Sequence, residues 1–236
     1  MRFLHCADNT QAAPRNHVNY DRLQKIRGLV DIAVGSCQEQ FYPRREISGD
    51  ETNIPFKRKT LLNGYNPQKP HQWGLTIWSL ADAVTRYVYN WNIYMYEGKG
   101  ADDQRTQNND DRGKVNWISW DLLESENMLG KNHHFYCDNY FTSPILFEDL
   151  VTRQTDACGT LRRNRTGMPD VIKHANPKKT DPTVVAKSGE DTFFSWQDRN
   201  LVTVISTIHT EETFMKRTRC KDSETGWQER EKPKAI

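Results

Sequence analysis

At 236 residues and 27.6 kDa the chain is long enough to bury a real core, as one large domain or two small ones. A hydrophobic share of 36% and a mean hydropathy of -0.87 imply a core that is thin or incompletely represented in this chain, and no apolar run is long enough to span a bilayer, so no membrane association is expected. A net charge of +2 is too mild to mark a nucleic-acid binder by itself, so the distribution of charge matters more than its total. Met1-Arg2-Phe3-Leu4-His5 does not open a secretory signal, and Cys6, Cys37, Cys137, Cys158 and Cys220 form no C-x-x-C pair or zinc-knuckle spacing. The expectation is a soluble intracellular protein with free thiols.

From Tyr20 to Phe41 the apolar positions Leu23, Ile26, Val30, Ala33 and Cys37 recur at steps of three and four, which predicts an amphipathic helix closed by Pro43. Residues 47–59 form an extended segment whose Pro55 confines it to an edge or an irregular strand. A turn-rich basic and aromatic link follows, Tyr65 to Gly74. Leu75 to Leu80 and Tyr87 to Tyr96 then predict two paired strands turning at residues 81–85. Gly98 to Lys114, with Asp102, Asp103, Asp110 and Asp111, has no apolar rhythm and predicts a mobile loop. A helix over Val115 to Leu129 leads to the strand His133 to Asp138.

That strand is the centre of the chain. His133-His134-Phe135-Tyr136-Cys137 ends abruptly in Asp138, and Ser143 with Pro144 then supplies an N-cap and a first helical position. The pattern is strand, carboxylate, loop, helix. In an open α/β sheet the space beyond the carboxyl end of a strand is where chemistry sits, which makes Asp138 a candidate site residue beside its plainer reading as a turn-capping Asp. A short strand, Ala157 to Leu161, precedes the basic turn Arg162-Arg163-Asn164-Arg165. Residues 170–187 break the pattern, Thr192 to Trp196 and Leu201 to Thr207 predict paired strands, and the tail from Thr210 is charged and poorly periodic.

Two carboxylates remote in sequence but converging at one sheet rim are the usual plan for divalent-metal phosphoryl chemistry, because Mg²⁺ takes oxygen ligands and keeps several waters. Asp50 and Asp138 are the pair selected; Glu51, on a strand, points to the opposite face from Asp50. Arg162, Arg163 and Arg165 match phosphate geometry, although a basic turn is as often simply solvated. Trp73, Trp78, Tyr87, Tyr89 and Trp91 suit either base stacking or core packing, and His133-His134 either metal ligation or packing.

Four blocks, Asp50 to Lys57, Tyr65 to Gly74, Tyr136 to Ser143 and Cys158 to Arg165, resemble in this order the motifs of piggyBac-type transposases and their host-derived relatives. The likeness runs from Arg2-Phe3-Leu4-His5 to Lys232-Pro233. It implies an α/β fold: an RNase H-like mixed sheet flanked by helices, with a β-rich insertion subdomain and an N-terminal lead-in helix. The expected divisions are residues 1–45, 46–168 and 169–236.

The resemblance also implies Mg²⁺-dependent cleavage and joining of DNA, with Mn²⁺ as a possible substitute, at transposon ends and TTAA targets in the nucleus, by a homodimer in a full-length form. It places the first two catalytic and metal-binding aspartates on Asp50 and Asp138, and the DNA-contacting turn on the arginines from Arg162 to Arg165. The family's third aspartate would lie just beyond Ile236, which gives the expectation of a truncated copy without cleavage activity. Asn53, Gly49 and Arg58 depart from the family pattern of apolar residue, aliphatic residue and turn glycine. The rival expectations are a domesticated DNA-binding module without chemistry, and a nuclease that borrows Glu51 or Glu148.

Overall fold

The computed structural model describes residues 6–18, 20–56, 62–67, 69–93, 113–124, 128–219 and 227–233. The chain divides into two compact units, one of residues 1–44 and 50–108 and the other of residues 45–49 and 109–236. The acidic segment expected as a mobile loop, up to residue 112, and residues 94–96 of the expected second strand lie outside the described residues.

In the first unit, α1 (Arg27–Gln40) is shorter than the periodicity predicted. The Asp21 carboxylate accepts from the Leu23 N–H at 2.8 Å and from Arg27 Nε at 2.7 Å, and the bonds from Gln24 N to Asp21 O and Ile26 N to Leu23 O close tight turns. A short acidic side chain that takes nearby backbone donors competes with the helical ladder, so residues 21–26 turn although Leu23 is buried. β2 (Gly64–Tyr65), β3 (Trp73–Asp82) and β4 (Val88–Ile93) follow, with β3 antiparallel to β2 and β4. Along β3 burial alternates residue by residue, from Gly74 through Thr76, Trp78 and Leu80 to Asp82, as a strand with one packed face requires. The Tyr87 hydroxyl donates to the Cys37 carbonyl at 2.9 Å and the Tyr87 ring lies 4.9 Å from that of Phe41, fastening the end of α1 to the β3–β4 turn. The Tyr87 pKa is raised, by burial first and then by Cys37.

β1 (Glu46–Pro55) opens in the second unit and ends in the first. Its first residues lie parallel to β5 (His134–Cys137), which lies parallel to β6 (Asp156–Thr160); β9 (Leu201–Ser206), β8 (Asp191–Gln197) and β7 (Val184–Ser188) continue antiparallel, giving the order β1-β5-β6-β9-β8-β7. The result is a mixed sheet. Of the strands after residue 168, β7, β8 and β9 are hydrogen-bonded into the same sheet as β5 and β6. β7 and the short α4 (Asp170–Lys173) occupy the Lys/Pro/Thr-rich stretch where no regular element was predicted.

Six consecutive residues of β8, Asp191 to Trp196, are buried, as expected of a strand covered on both faces. On one face Phe194 and Trp196 pack with Cys158 and Val204. α3 (Pro144–Thr152) buries Leu146, Phe147 and Leu150 at helical spacing, while α2 (Gly113–Glu124) buries Ile118, Leu122 and Leu123. Each such side chain contributes about 1.5–3 kcal/mol of apolar burial.

The charged tail is also regular. β10 (Thr213–Arg219) and β11 (Trp227–Pro233) form a hairpin whose register sets Arg217 opposite Glu229. Its anchor is Lys232, 5% exposed, with Nζ 3.1 Å from the Asp198 carboxylate and 5.5 Å from the centre of the Trp196 ring. Among the described residues no helix is long and apolar enough to cross a membrane, and Cys6, Cys37, Cys137 and Cys158 are free thiols.

Candidate active site

The carboxyl end of β5 is held by its own turn and by β6. The Asp138 carbonyl accepts from Phe141 N at 3.0 Å, Thr142 N at 3.1 Å and Thr142 Oγ1 at 2.9 Å, so the chain folds back at once. Ser143 then caps α3, its Oγ accepting from Leu146 N at 3.2 Å, with Pro144 at the first helical position as predicted. The Asp138 side chain is exposed. Its Oδ1 accepts from Asn139 N at 2.6 Å and from Thr160 Oγ1 at 2.9 Å, while among the described residues Oδ2 accepts no hydrogen bond. One carboxylate oxygen is thus fixed and the other is presented.

Gly159 makes that turn possible. A Cβ there would stand 2.7 Å from the Cys137 carbonyl and would collide with Thr142 Oγ1. The Cys137 thiol, against Thr142 Oγ1 at 3.3 Å, is pushed up to about 12 by burial, and Cys158 to about 11 by the same cause, so neither acts as a thiolate nucleophile.

The three arginines of the basic turn have different partners. Arg162, exposed, donates from Nε to Asn139 Oδ1 at 2.9 Å. Arg165 donates to the carbonyls of Tyr140 at 2.7 Å and Asn139 at 3.2 Å. Arg163 donates to the carbonyls of Ile172 and Ala175, closing the end of α4. Arg163 and Arg165 therefore brace loops, and Arg162 is the cation set beside Asp138 with most of its guanidinium in solvent.

Asp50 lies on β1, exposed, with Oδ1 accepting from Glu51 N at 2.7 Å and its carbonyl accepting from Ser79 Oγ at 3.3 Å. The parallel register of β1 on β5 ends with Gly49 opposite Cys137, and the next residue after each is an aspartate, Asp50 and Asp138. Gly49 lies against Phe135, whose ring carbons would stand 2.7 and 2.8 Å from any Cβ. Glu51 is half-buried and paired with Lys69 at 3.1 Å, and Glu148 lies on α3. His133 is buried; His134 Nε2 lies 3.9 Å from Asp156 Oδ2, its pKa lowered by burial and then by Arg45. Among the described residues no group of three or more His, Cys, Asp or Glu is placed to hold a metal ion. Asp50 and Asp138 are each exposed and each offer the hard oxygen donors that Mg²⁺ takes.

Sequence reasoning missed Thr160 and Asn139, the side chains that orient Asp138 and Arg162. The available signal was position: Thr160 ends the strand parallel to β5, directly after the glycine that allows close approach.

The family model described as Transposase IS4 matches residues 1–236. The chain belongs to this family. Among its relatives, the human PiggyBac transposable element-derived protein 3 is 24% identical over 207 residues, covering 86% of this chain and 33% of the relative. The human Chimeric ERCC6-PGBD3 protein is also 24% identical over 207 residues, 86% of this chain but 18% of that protein. The chain thus spans a third or less of these relatives. The cryo-EM structure of a piggyBac transposase synaptic complex with hairpin DNA superposes with a TM-score of 0.75 at 22% identity, covering 99% of this chain and 45% of that one. This piggyBac-type, transposase-like protein therefore shares its fold with that neighbour.

Proposed function

We propose that this family member contributes the two-aspartate part of a divalent-metal centre for DNA strand cleavage and transfer, built on an RNase H-like core. The observation that carries the reading is the β1–β5 register, which runs out at Gly49 and Cys137 just before Asp50 and Asp138. Asp50 and Asp138 would hold Mg²⁺, or Mn²⁺ in its place. When bound, the cation supplies charge neutralisation at phosphate and an activated water. Thr160 and the Asn139 N–H keep one Asp138 oxygen turned inward, so the other stays directed to the site. Arg162, positioned by Asn139, offers its remaining N–H donors to a DNA phosphate, while Arg163 and Arg165 keep the loops in place. The substrate class proposed is double-stranded DNA carrying transposon ends, with TTAA as target, in the nucleus, by a dimer in any longer form.

Two carboxylates leave such a centre short of protein ligands, so the 236-residue chain alone binds the cation weakly and does not cut. Incubating it with a transposon-end duplex and Mg²⁺ or Mn²⁺ tests this: specific nicking that Asp138→Asn abolishes overturns the inactivity. Mn²⁺ binding that neither Asp50→Asn nor Asp138→Asn weakens overturns the metal assignment. A second reading, favoured by the exposed Arg162, is a DNA-binding module without chemistry. Its signature is salt-dependent duplex binding that survives Asp50→Asn and weakens on Arg162→Ala.

A further inference from the structure

The edge of the first unit carries an aromatic pair that the proposed metal chemistry does not use. Tyr65 and Trp73 face each other across the antiparallel β2–β3 register, with ring centres 5.0 Å apart, and remain 50% and 55% exposed. Trp78 and Tyr89 in the same unit are 7% and 6% exposed, so the sheet has room to bury such rings and leaves this pair out. Ile54 and Phe56 add further exposed apolar surface, and the Phe56 N–H donates to the Trp73 carbonyl at 3.3 Å.

The supporting loop is pinned. Asn53 Nδ2 donates to the His71 carbonyl at 2.9 Å, Lys69 pairs with Glu51 at 3.1 Å, and the Tyr65 hydroxyl donates to Gln72 Oε1 at 3.3 Å. Gly74, next to Trp73, packs so closely on the Asn53 side chain and the Ile54 carbonyl that no Cβ fits. Asn53 thus has a structural role here. The rings sit on a braced hairpin, so little ordering entropy is lost when a flat ligand stacks on them.

Charge decides between a protein partner and a nucleic acid. From Ile54 to Gly74 the sequence contains Lys57, Arg58, Lys59 and Lys69 and no Asp or Glu, in a chain whose totals are 33 basic and 31 acidic residues. A stretch of sequence that is basic, holds no acid and carries the two exposed rings is complementary to a polyanion with π-faced bases, with Lys69 already paired to Glu51. Bases inside a duplex have no free face. We propose that Tyr65 and Trp73 form a stacking platform for unpaired bases of single-stranded DNA.

The inference rests on DNA being the substrate, as proposed above, and the test separates the two. Fluorescence anisotropy with a labelled ten-nucleotide oligo(dT) and a labelled ten-base-pair duplex is measured for the full chain, Trp73→Ala, Trp73→Phe and Arg162→Ala. The platform predicts that Trp73→Ala weakens oligo(dT) binding about 5- to 150-fold, that Trp73→Phe restores most of it, and that duplex binding changes little. Unchanged oligo(dT) binding in Trp73→Ala, with duplex binding still sensitive to Arg162→Ala, overturns the platform and leaves the DNA reading standing. Failure of the wild-type chain to bind either probe overturns both. A dimer in sedimentation that Trp73→Ala dissociates assigns the patch to a second copy and overturns the platform.

Discussion

Thr160 Oγ1 donates a 2.9 Å hydrogen bond to Asp138 Oδ1, joining the ends of two parallel strands, β6 and β5. The donor fixes the rotamer of an exposed carboxylate that would otherwise sample several. Replacing Thr160 with Val keeps the β-branched shape and removes that donor. Stability should fall by about 1 kcal/mol, and Mn²⁺ affinity, followed by calorimetry, by about ten-fold. Unchanged affinity would show that Thr160 serves only the fold.

Gly159→Ala tests the close approach behind the same carboxylate. Its methyl meets the Cys137 carbonyl at 2.7 Å, a backbone atom that cannot turn aside. A loss of roughly 1–3 kcal/mol in denaturant unfolding is expected, together with loss of the Asp138 geometry. A variant as stable as the parent would mean that the β5–α3 turn relaxes freely.

Asp82 is fully buried at the end of β3, and its carboxylate accepts from Arg44 N at 2.8 Å, Val84 N at 3.0 Å, Thr85 N at 2.6 Å and Thr85 Oγ1 at 2.8 Å. Desolvation raises its pKa, but the four donors together outweigh it and hold the group below the ordinary value of 3.8. A lowered folded value stabilises the protein above pH 3.8, and that contribution is lost as pH falls through the folded value. Asp82→Ala strands three backbone N–H groups and should cost roughly 2–4 kcal/mol at neutral pH. Thermal melts of the variant against the parent decide it.

Asp191 behaves in the opposite sense. Burial, then the charges of Glu148 and Glu190, push its carboxyl up to about 7 from 3.8. Its Oδ1 is buried and accepts no hydrogen bond, so the fold favours the neutral acid. Folded above unfolded means that this contribution is complete below about pH 4 and declines as pH rises through about 7. Urea midpoints for the parent should therefore drop between about pH 4 and 7, and Asp191→Asn should flatten that slope. An equal slope in both proteins would refute the assignment.

Where local chemistry and tertiary need agreed, the sequence was legible. The cap at Ser143 and Pro144, the strand ending at Asp138, the β3–β4 pair and the β8–β9 pair are all present close to their predicted bounds. Asp82 was passed over as a turn residue, although Asp followed three residues later by Thr is a turn-capping pattern. The β10–β11 hairpin was missed because cross-strand pairs such as Arg217 with Glu229 give strands without apolar alternation.

By itself the sequence determined which residues carry chemistry: the order of motif blocks, Asp50 within one extended segment, Asp138 at the end of another and the acid-free basic stretch are properties of the chain as written. The tertiary structure decided which of them are available. Arg163 and Arg165 are bound to carbonyls while Arg162 is exposed, and Trp78 is buried while Trp73 is not. The reason is physical: a guanidinium or an indole has the same affinity for a phosphate or a base wherever it stands in the sequence, but only packing determines whether backbone or solvent reaches it first.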